Sequence, residues 1–264
     1  GRAIAFDFNA KKIDDIALSD VSRRTREGFF CWGHLSLNES GYAVLRDVGV
    51  DAETIDRIVN NQGHGVLRFG RSAIHCTLLE AVVHGRDLTL KPIHLIIGHN
   101  FIFTMCNGHS DVIAEVCGSY EEDFYQRAQS GGFLLFELVD SLIYDYRQTL
   151  GDLALDVESM QKRLIQNHED KDIFDDFSIL SASLLEFRNA IAAARESVDG
   201  LSNRRSSFIQ ESAQPFLERQ ALPLDRLAGD ATTERAILSE TLNLYMGMTS
   251  HKTNLVINRL VIIS

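Results

Sequence analysis

Phe136, Val139, Ile143, Tyr146, Leu150, Leu153, Val157, Met160 and Leu164 follow one another in alternating steps of three and four residues. A stripe with that period marks a helix packed along its whole length on other helices. A second stripe repeats the pattern through Ile173, Phe177, Leu180, Leu184, Phe187, Ile191, Ala194, Val198 and Leu201. At 1.5 Å per residue each helix is about 45 Å long, longer than a compact domain accommodates. The short charged link His168-Glu169-Asp170-Lys171-Asp172 predicts that the two form an antiparallel hairpin.

The chain before this hairpin follows a different rhythm. Ile4, Phe6 and Phe8 alternate with smaller or polar residues, as in a half-buried strand, and 29–37 reads as another. Short amphipathic helices are expected over 40–48 and 52–60, the second capped by Asp51. Apolar, β-branched runs at 73–83, 88–97 and 100–106, with a weaker one at 65–69, are separated by turns at Gly70-Arg71, His84-Gly85-Arg86-Asp87 and Gly98-His99-Asn100. Hairpins follow, and with them an α/β head: a mixed, largely antiparallel sheet flanked by helices. Ser110 is placed to cap a helix reaching about Tyr120.

After the hairpin, 212–230 holds Pro215, Pro223 and Gly229 and reads as a break or irregular connection. A last helix is expected from about Thr232 to the end. Leu238, Leu242 and Tyr245 can pack inward on it, while Asn243, Gly247, Ser250 and Asn254 form a small, polar line. On a lone hairpin that line simply faces water; in a ring of identical helices it would face a wet channel. The final turns, Leu255 to Ser264, grow steadily more apolar, and the chain reads as cut just where something hydrophobic begins. No run of roughly 20 apolar residues is complete, and no secretory signal opens the chain.

Composition excludes some classes. With 26 Lys and Arg against 37 Asp and Glu, the formal net charge is −11, which argues against nucleic acid as the partner. The four cysteines, Cys31, Cys76, Cys106 and Cys117, lack C-x-x-C spacing and read as free thiols. His94, His99, Cys106 and His109 invite a zinc reading, but their spacing fits no standard zinc module, and core or turn histidines are expected instead. Gly63-His64-Gly65 with Gly70 lacks phosphate-loop spacing. The acidic run Glu169, Asp170, Asp172, Asp175 and Asp176 lacks the glycine and closing glutamate of a calcium loop. No nucleophile elbow, P-loop or zinc-protease motif is present, so neither catalysis nor a cofactor is expected.

Three stretches carry a family resemblance. Phe30-Cys31-Trp32-Gly33-His34-Leu35, the run from Gly132 to Tyr146, and Tyr245-Met246-Gly247-Met248-Thr249-Ser250-His251-Lys252-Thr253-Asn254 with the apolar end beyond it resemble the cytoplasmic part of CorA-type divalent-cation transporters, a family that includes a ZntB-like branch. The resemblance implies an α/β head over 1–130, a helical hairpin and connection over 131–230, and a stalk helix over 231–264. It also implies a homopentamer at the inner membrane, this portion on the cytoplasmic side, joined to the membrane by spans beyond Ser264. Mg²⁺ or Zn²⁺ is then cargo, and a soluble helical scaffold is the rival without transport. By the same resemblance Asn243, Gly247, Ser250, Asn254, Ile257 and Leu260 would line the pore. The location of any regulatory metal is unknown. Where magnesium-type members carry an acidic stalk start, this sequence has Glu218-Arg219-Gln220-Ala221-Leu222-Pro223, and Arg219 there would repel a cation.

Overall fold

The computed structural model describes residues 2–60, 65–85, 87–126, 128–166, 173–203 and 206–263. Seven strands form one sheet: β1 (Arg2–Asp7), β2 (Lys12–Ala17), β3 (Phe30–Ser36), β4 (Val66–Phe69), β5 (Ile74–His84), β6 (Asp87–Ile97) and β7 (Phe101–Cys106). Their order is β2-β1-β3-β7-β6-β5-β4. Among these, β3 and β7 pair in parallel, Trp32 opposite Ile102, and the other neighbours are antiparallel. A parallel pair needs a long crossover, here supplied by everything between Ser36 and Phe101. The expected turns hold: Gly70 N–H donates to the Ala73 carbonyl and Gly98 N–H to that of Phe101, each at 2.9 Å.

Helices α1 (Val21–Arg26), α2 (Glu39–Asp47) and α3 (Ala52–Asn60) accompany one sheet face, where Leu45, Ile55 and Ile58 share a core with Leu35, Ile96 and Phe103. The opposite face, with Trp32, Leu78 and Ile102, packs on α4 (Asp111–Gln126), α5 (Gly132–Gln166) and α6 (Ile173–Asn203). With both faces covered, β7 is buried at every residue, which is why it reads as a continuous apolar run. The caps are as expected: Asp51 Oδ1 accepts Thr54 N–H at 2.9 Å, and Ser110 Oγ accepts Ile113 N–H at 3.2 Å.

Strand β2, the short helix α1 and the first half of the last helix escape the sequence reading. Strand β2 is an edge strand with exposed charges, a pattern that protects a sheet edge rather than filling a core. The turn before it is held by Asp7 Oδ1, which accepts Asn9 and Ala10 N–H at 3.0 and 2.9 Å. The larger correction concerns 212–230. Helix α7 runs unbroken from Gln214 to Ile263, with Pro223 inside it. Pro215 sits in its first turn, where the N–H has no intrahelical partner in any case. Pro223 forfeits the bond to the Arg219 carbonyl, a cost of about 3 kcal/mol. Leu217, Leu224 and Leu227 are all buried around it, and each such burial contributes about 1.5–3 kcal/mol. Packing therefore overrides the break.

The three long helices form one bundle. Gln220 Nε2 donates to Asp140 Oδ1 at 3.0 Å and Gln161 Nε2 to Thr241 Oγ1 at 3.1 Å, so α5 and α7 rise together. Arg195 with Asp225 near one end and Phe174 with Tyr245 near the other make α6 antiparallel to α7. Both predicted stripes are buried apart from Phe136, Leu150 and Phe177, which are partly so. The link 168–172 lies outside the described residues; Arg163 and Asp176 pair across its ends at 2.6 Å. Tyr146 O–H donates to the Leu79 carbonyl at 2.6 Å, and Ala81 N–H donates to Asp145 Oδ2 at 3.3 Å, fastening α5 to β5.

A polar trio lies in the other face of the sheet. His75 Nε2, His94 Nδ1 and Thr77 Oγ1 are mutually 3.1 Å apart and buried. Three such groups cannot satisfy every edge with the protons available, and His75 Nδ1 has no hydrogen-bond partner among the described residues. Burial pushes both imidazoles down from 6.5 to about 4. Burial, with Glu80 and Asp111 nearby, pushes the Asp145 carboxyl up to about 6, against the Ala81 hydrogen bond.

Two predictions follow from this packing. Leu224→Ala should lower unfolding free energy by about 2–5 kcal/mol in denaturant titrations; a loss within about 0.5 kcal/mol would mean that 212–230 is not packed helix. The second concerns pH. The histidines bind protons more readily unfolded than folded, so their contribution is full above 6.5 and is lost as pH falls toward about 4. Asp145 has the opposite sign: its contribution is full below 3.8 and is lost as pH rises through about 6. Melting curves of Asp145→Asn should therefore fall steadily between neutral pH and pH near 4. Relative to the unaltered chain, the variant should gain more at pH 8 than at pH 5; equal differences would refute the assignment.

Candidate functional site: the terminal turns of the long helix

Helix α7 buries Leu217, Gln220, Leu224, Leu227, Ala231, Leu238, Thr241 and Tyr245. These positions keep the heptad rhythm of the other two helices, so one stripe faces α5 and α6 from the base of the bundle to its tip. Leu238 and Tyr245 pack inward as expected, with Leu242 partly buried. By the Gln161–Thr241 pairing, the end of α5 at Gln166 comes level with Met246. The rest of α7, roughly 17 residues or about 25 Å, runs on past it.

Asn243 and Gly247 of the expected polar line are exposed, on the side of α7 away from the bundle. Leu244, Met246 and Met248 on the same turns are exposed as well, leaving apolar surface on the part of α7 that reaches the tip. The backbone is helical through Ser250, Asn254, Ile257 and Leu260; the side chains of those four lie outside the described residues. No described helix is long and apolar enough to cross a membrane.

The residues of the zinc reading are dispersed. His94 belongs to the buried trio, His99 Nδ1–H donates to the Ser207 carbonyl at 3.0 Å, and exposed His109 pairs with Asp111 at 2.9 Å. Cys106 lies 3.9 Å from His34 Nε2, and burial raises its thiol. Among the described residues no group of three or more His, Cys, Asp or Glu side chains is placed to hold a metal ion. Of the acidic run, Glu169, Asp170 and Asp172 lie outside the described residues, as do Gly63 and His64 of the glycine-rich stretch. Arg219 is exposed on α7, its guanidinium carbon 5.9 Å from the Phe216 ring centre. The first half of α7 is what sequence reasoning missed; the signal was the step from Leu217 through Leu224, Leu227 and Ala231 to Leu238, hidden by two prolines and a glycine.

This sheet-bearing head with three long helices has known counterparts. The chain is 26% identical over 138 residues to the cobalt/magnesium transport protein CorA of Thermotoga maritima, covering 52% of this chain and 39% of that relative. It therefore matches about two fifths of that relative's length. The complete structure of the CorA magnesium transporter from Methanocaldococcus jannaschii superposes with a TM-score of 0.81 at 14% identity, over 99% of this chain and 81% of that one. The ZntB cytoplasmic domain from Vibrio parahaemolyticus gives 0.65 at 12% identity, over 96% of this chain and 98% of that one. At such identities the two structures speak for the fold alone, which is the predicted α/β head followed by long packed helices. The sequence profile described as CorA-like Mg2+ transporter protein matches residues 28–264, and with most of its length so matched, the chain belongs to that family.

Proposed function

We propose that this chain is the cytoplasmic funnel and regulatory portion of a divalent-cation channel or transporter, with Mg²⁺ as cargo. The observation that carries this reading is α7 itself: a helix packed on its own bundle as far as Tyr245, with Leu244, Met246 and Met248 exposed on those turns, whose backbone then runs on past the bundle. Such residues are covered when identical copies gather in a ring, here five, with the membrane-spanning part following α7. Asn243, Gly247, Ser250 and Asn254 then line a wet vestibule, and Ile257 with Leu260 narrows it as an apolar constriction that gates by dewetting. Mg²⁺ sheds its waters reluctantly, so amide oxygens and hydroxyls suit the hydrated ion better than a cage of charges. The role is transport rather than catalysis. The division into head (1–130), hairpin and connection (131–230) and stalk (231–264) is kept as functional units, although the last two share one helix.

Membership of the CorA-like Mg2+ transporter family, and the likeness to the Thermotoga cobalt/magnesium transport protein, favour magnesium over zinc. Zinc is the second reading, supported by the likeness to the ZntB domain and by Arg219 at the stalk start.

In the protein with its membrane part, reconstituted in vesicles, Asn254→Leu should cut cation uptake and Leu260→Gly should make it leaky. Uptake unchanged by both, in folded and inserted protein, would remove this face from the conduction path. For the 264-residue chain, millimolar Mg²⁺ should barely move the melting temperature. Saturation at 100 times Kd adds about 2.7 kcal/mol per site, so a large saturable shift would show a regulatory Mg²⁺ site despite Arg219.

A further inference from the structure

Strands β3 and β7 lie side by side and parallel, and the chain leaves their ends in opposite directions. After β3 it turns to α2 on one face of the sheet, and after β7 to α4 on the other. Such a divergence opens a crevice outside the carboxyl ends of two parallel strands, a common seat for bound groups in α/β sheets. Two side chains with metal-binding atoms stand there, near the ends of the same two strands. Cys106 Sγ lies 3.9 Å from His34 Nε2. The thiol is buried, but the imidazole is exposed, so the pair is open to solvent on that side.

Both donors are already set for an ion. His34 Nδ1 lies 3.2 Å from Thr104 Oγ1. With Nδ1–H given to that buried hydroxyl, Nε2 keeps its lone pair and turns it toward the sulfur. Burial also holds the imidazole below its usual 6.5, which keeps it neutral. The Cys106 S–H donates to the Gly108 carbonyl at 3.4 Å, a weak bond whose proton leaves when an ion takes the sulfur. At bond lengths of about 2.3 Å to sulfur and about 2.0 Å to nitrogen, the 3.9 Å separation sets an angle of about 130° at an ion between them. That is wider than four-coordinate ions take, and it suits an ion content with two or three ligands. Charge selects further. One thiolate neutralises a monovalent ion but leaves a divalent one uncompensated beside a buried sulfur. Glu80 and Lys91, which act on the thiol with opposite sign, face each other across β5 and β6 and offset. We propose that Cys106 and His34 form a binding site for a soft monovalent metal ion, copper(I), in the sheet-bearing head. Thiolate favours such an ion, whereas Mg²⁺ takes oxygen ligands. The site is separate from the vestibule and does not depend on the transport reading.

The test is anaerobic titration of the 264-residue chain with copper(I), supplied as its acetonitrile complex and competed against a chromogenic copper(I) chelator, with millimolar Mg²⁺ present. Saturable one-to-one binding is expected, with one proton released per ion and both sulfur and nitrogen bound to copper by X-ray absorption. Cys106→Ser should abolish it. Thr104→Val, which leaves both donors in place, should weaken it about tenfold or more, and His34→Gln should weaken it further. Cys117→Ser, which removes the exposed thiol of α4, should leave it unchanged. Should Cys106→Ser fail to fold, the His34 and Thr104 variants still decide. Absence of saturable binding would overturn the proposal. So would loss of binding in Cys117→Ser, which would put copper on the exposed thiol. Weakening by His109→Gln and not by His34→Gln would overturn it too, by pairing Cys106 with the turn histidine instead.

Discussion

The buried stripe of α7, continuous from Leu217 to Tyr245, is the constraint on which the rest of the molecule depends. Without it, α5 and α6 would expose one side of each stripe to water, and the final turns of α7 would have no fixed direction. The stripe is strong enough to hold a proline inside a helix. Its polar members, Gln220 and Thr241, fix the level of α7 against α5 through Asp140 and Gln161. Apolar packing supplies most of the energy, and these hydrogen bonds set the register. Tyr146 and Asp145 then tie α5 to β5, so the head and the helices form one continuous packed body.

That arrangement has a mechanical consequence. A change at the base of the bundle, where α7 starts beside α5, lies on the same rod as the turns that the proposed vestibule would use. A helix held along its length transmits a tilt better than one interrupted by a flexible connection. Leu244, Met246 and Met248 leave apolar surface exposed beside the buried Tyr245 near the tip of the bundle.

Much of this was legible in the sequence, and the failures have physical causes. The stripes of α5 and α6 are apolar at nearly every position, so periodicity alone located them. The sheet was legible through β-branched runs and turn residues. Strand β2 was not, because an edge strand carries the charges of a loop. The base of α7 was obscured by Pro215, Pro223 and Gly229, whose local preference is overruled by burial that only the folded bundle provides. At the candidate site, Asn243 and Gly247 of the expected polar line are exposed, while the side chains of Ser250 and Asn254 lie outside the described residues.

The central claim is that α7 is one rod through Pro223, and a single distance tests it. Spin labels at Glu218 and Glu240, both exposed, stand 22 residues apart, or about 33 Å along an unbroken helix. Pulsed dipolar spectroscopy of the doubly labelled protein, diluted with unlabelled chain to suppress contacts between copies, should give one narrow distribution near that distance. A broad distribution, or a dominant distance well below it, would show that the chain bends or unwinds between the two labels, and the account of a continuous stalk would fail.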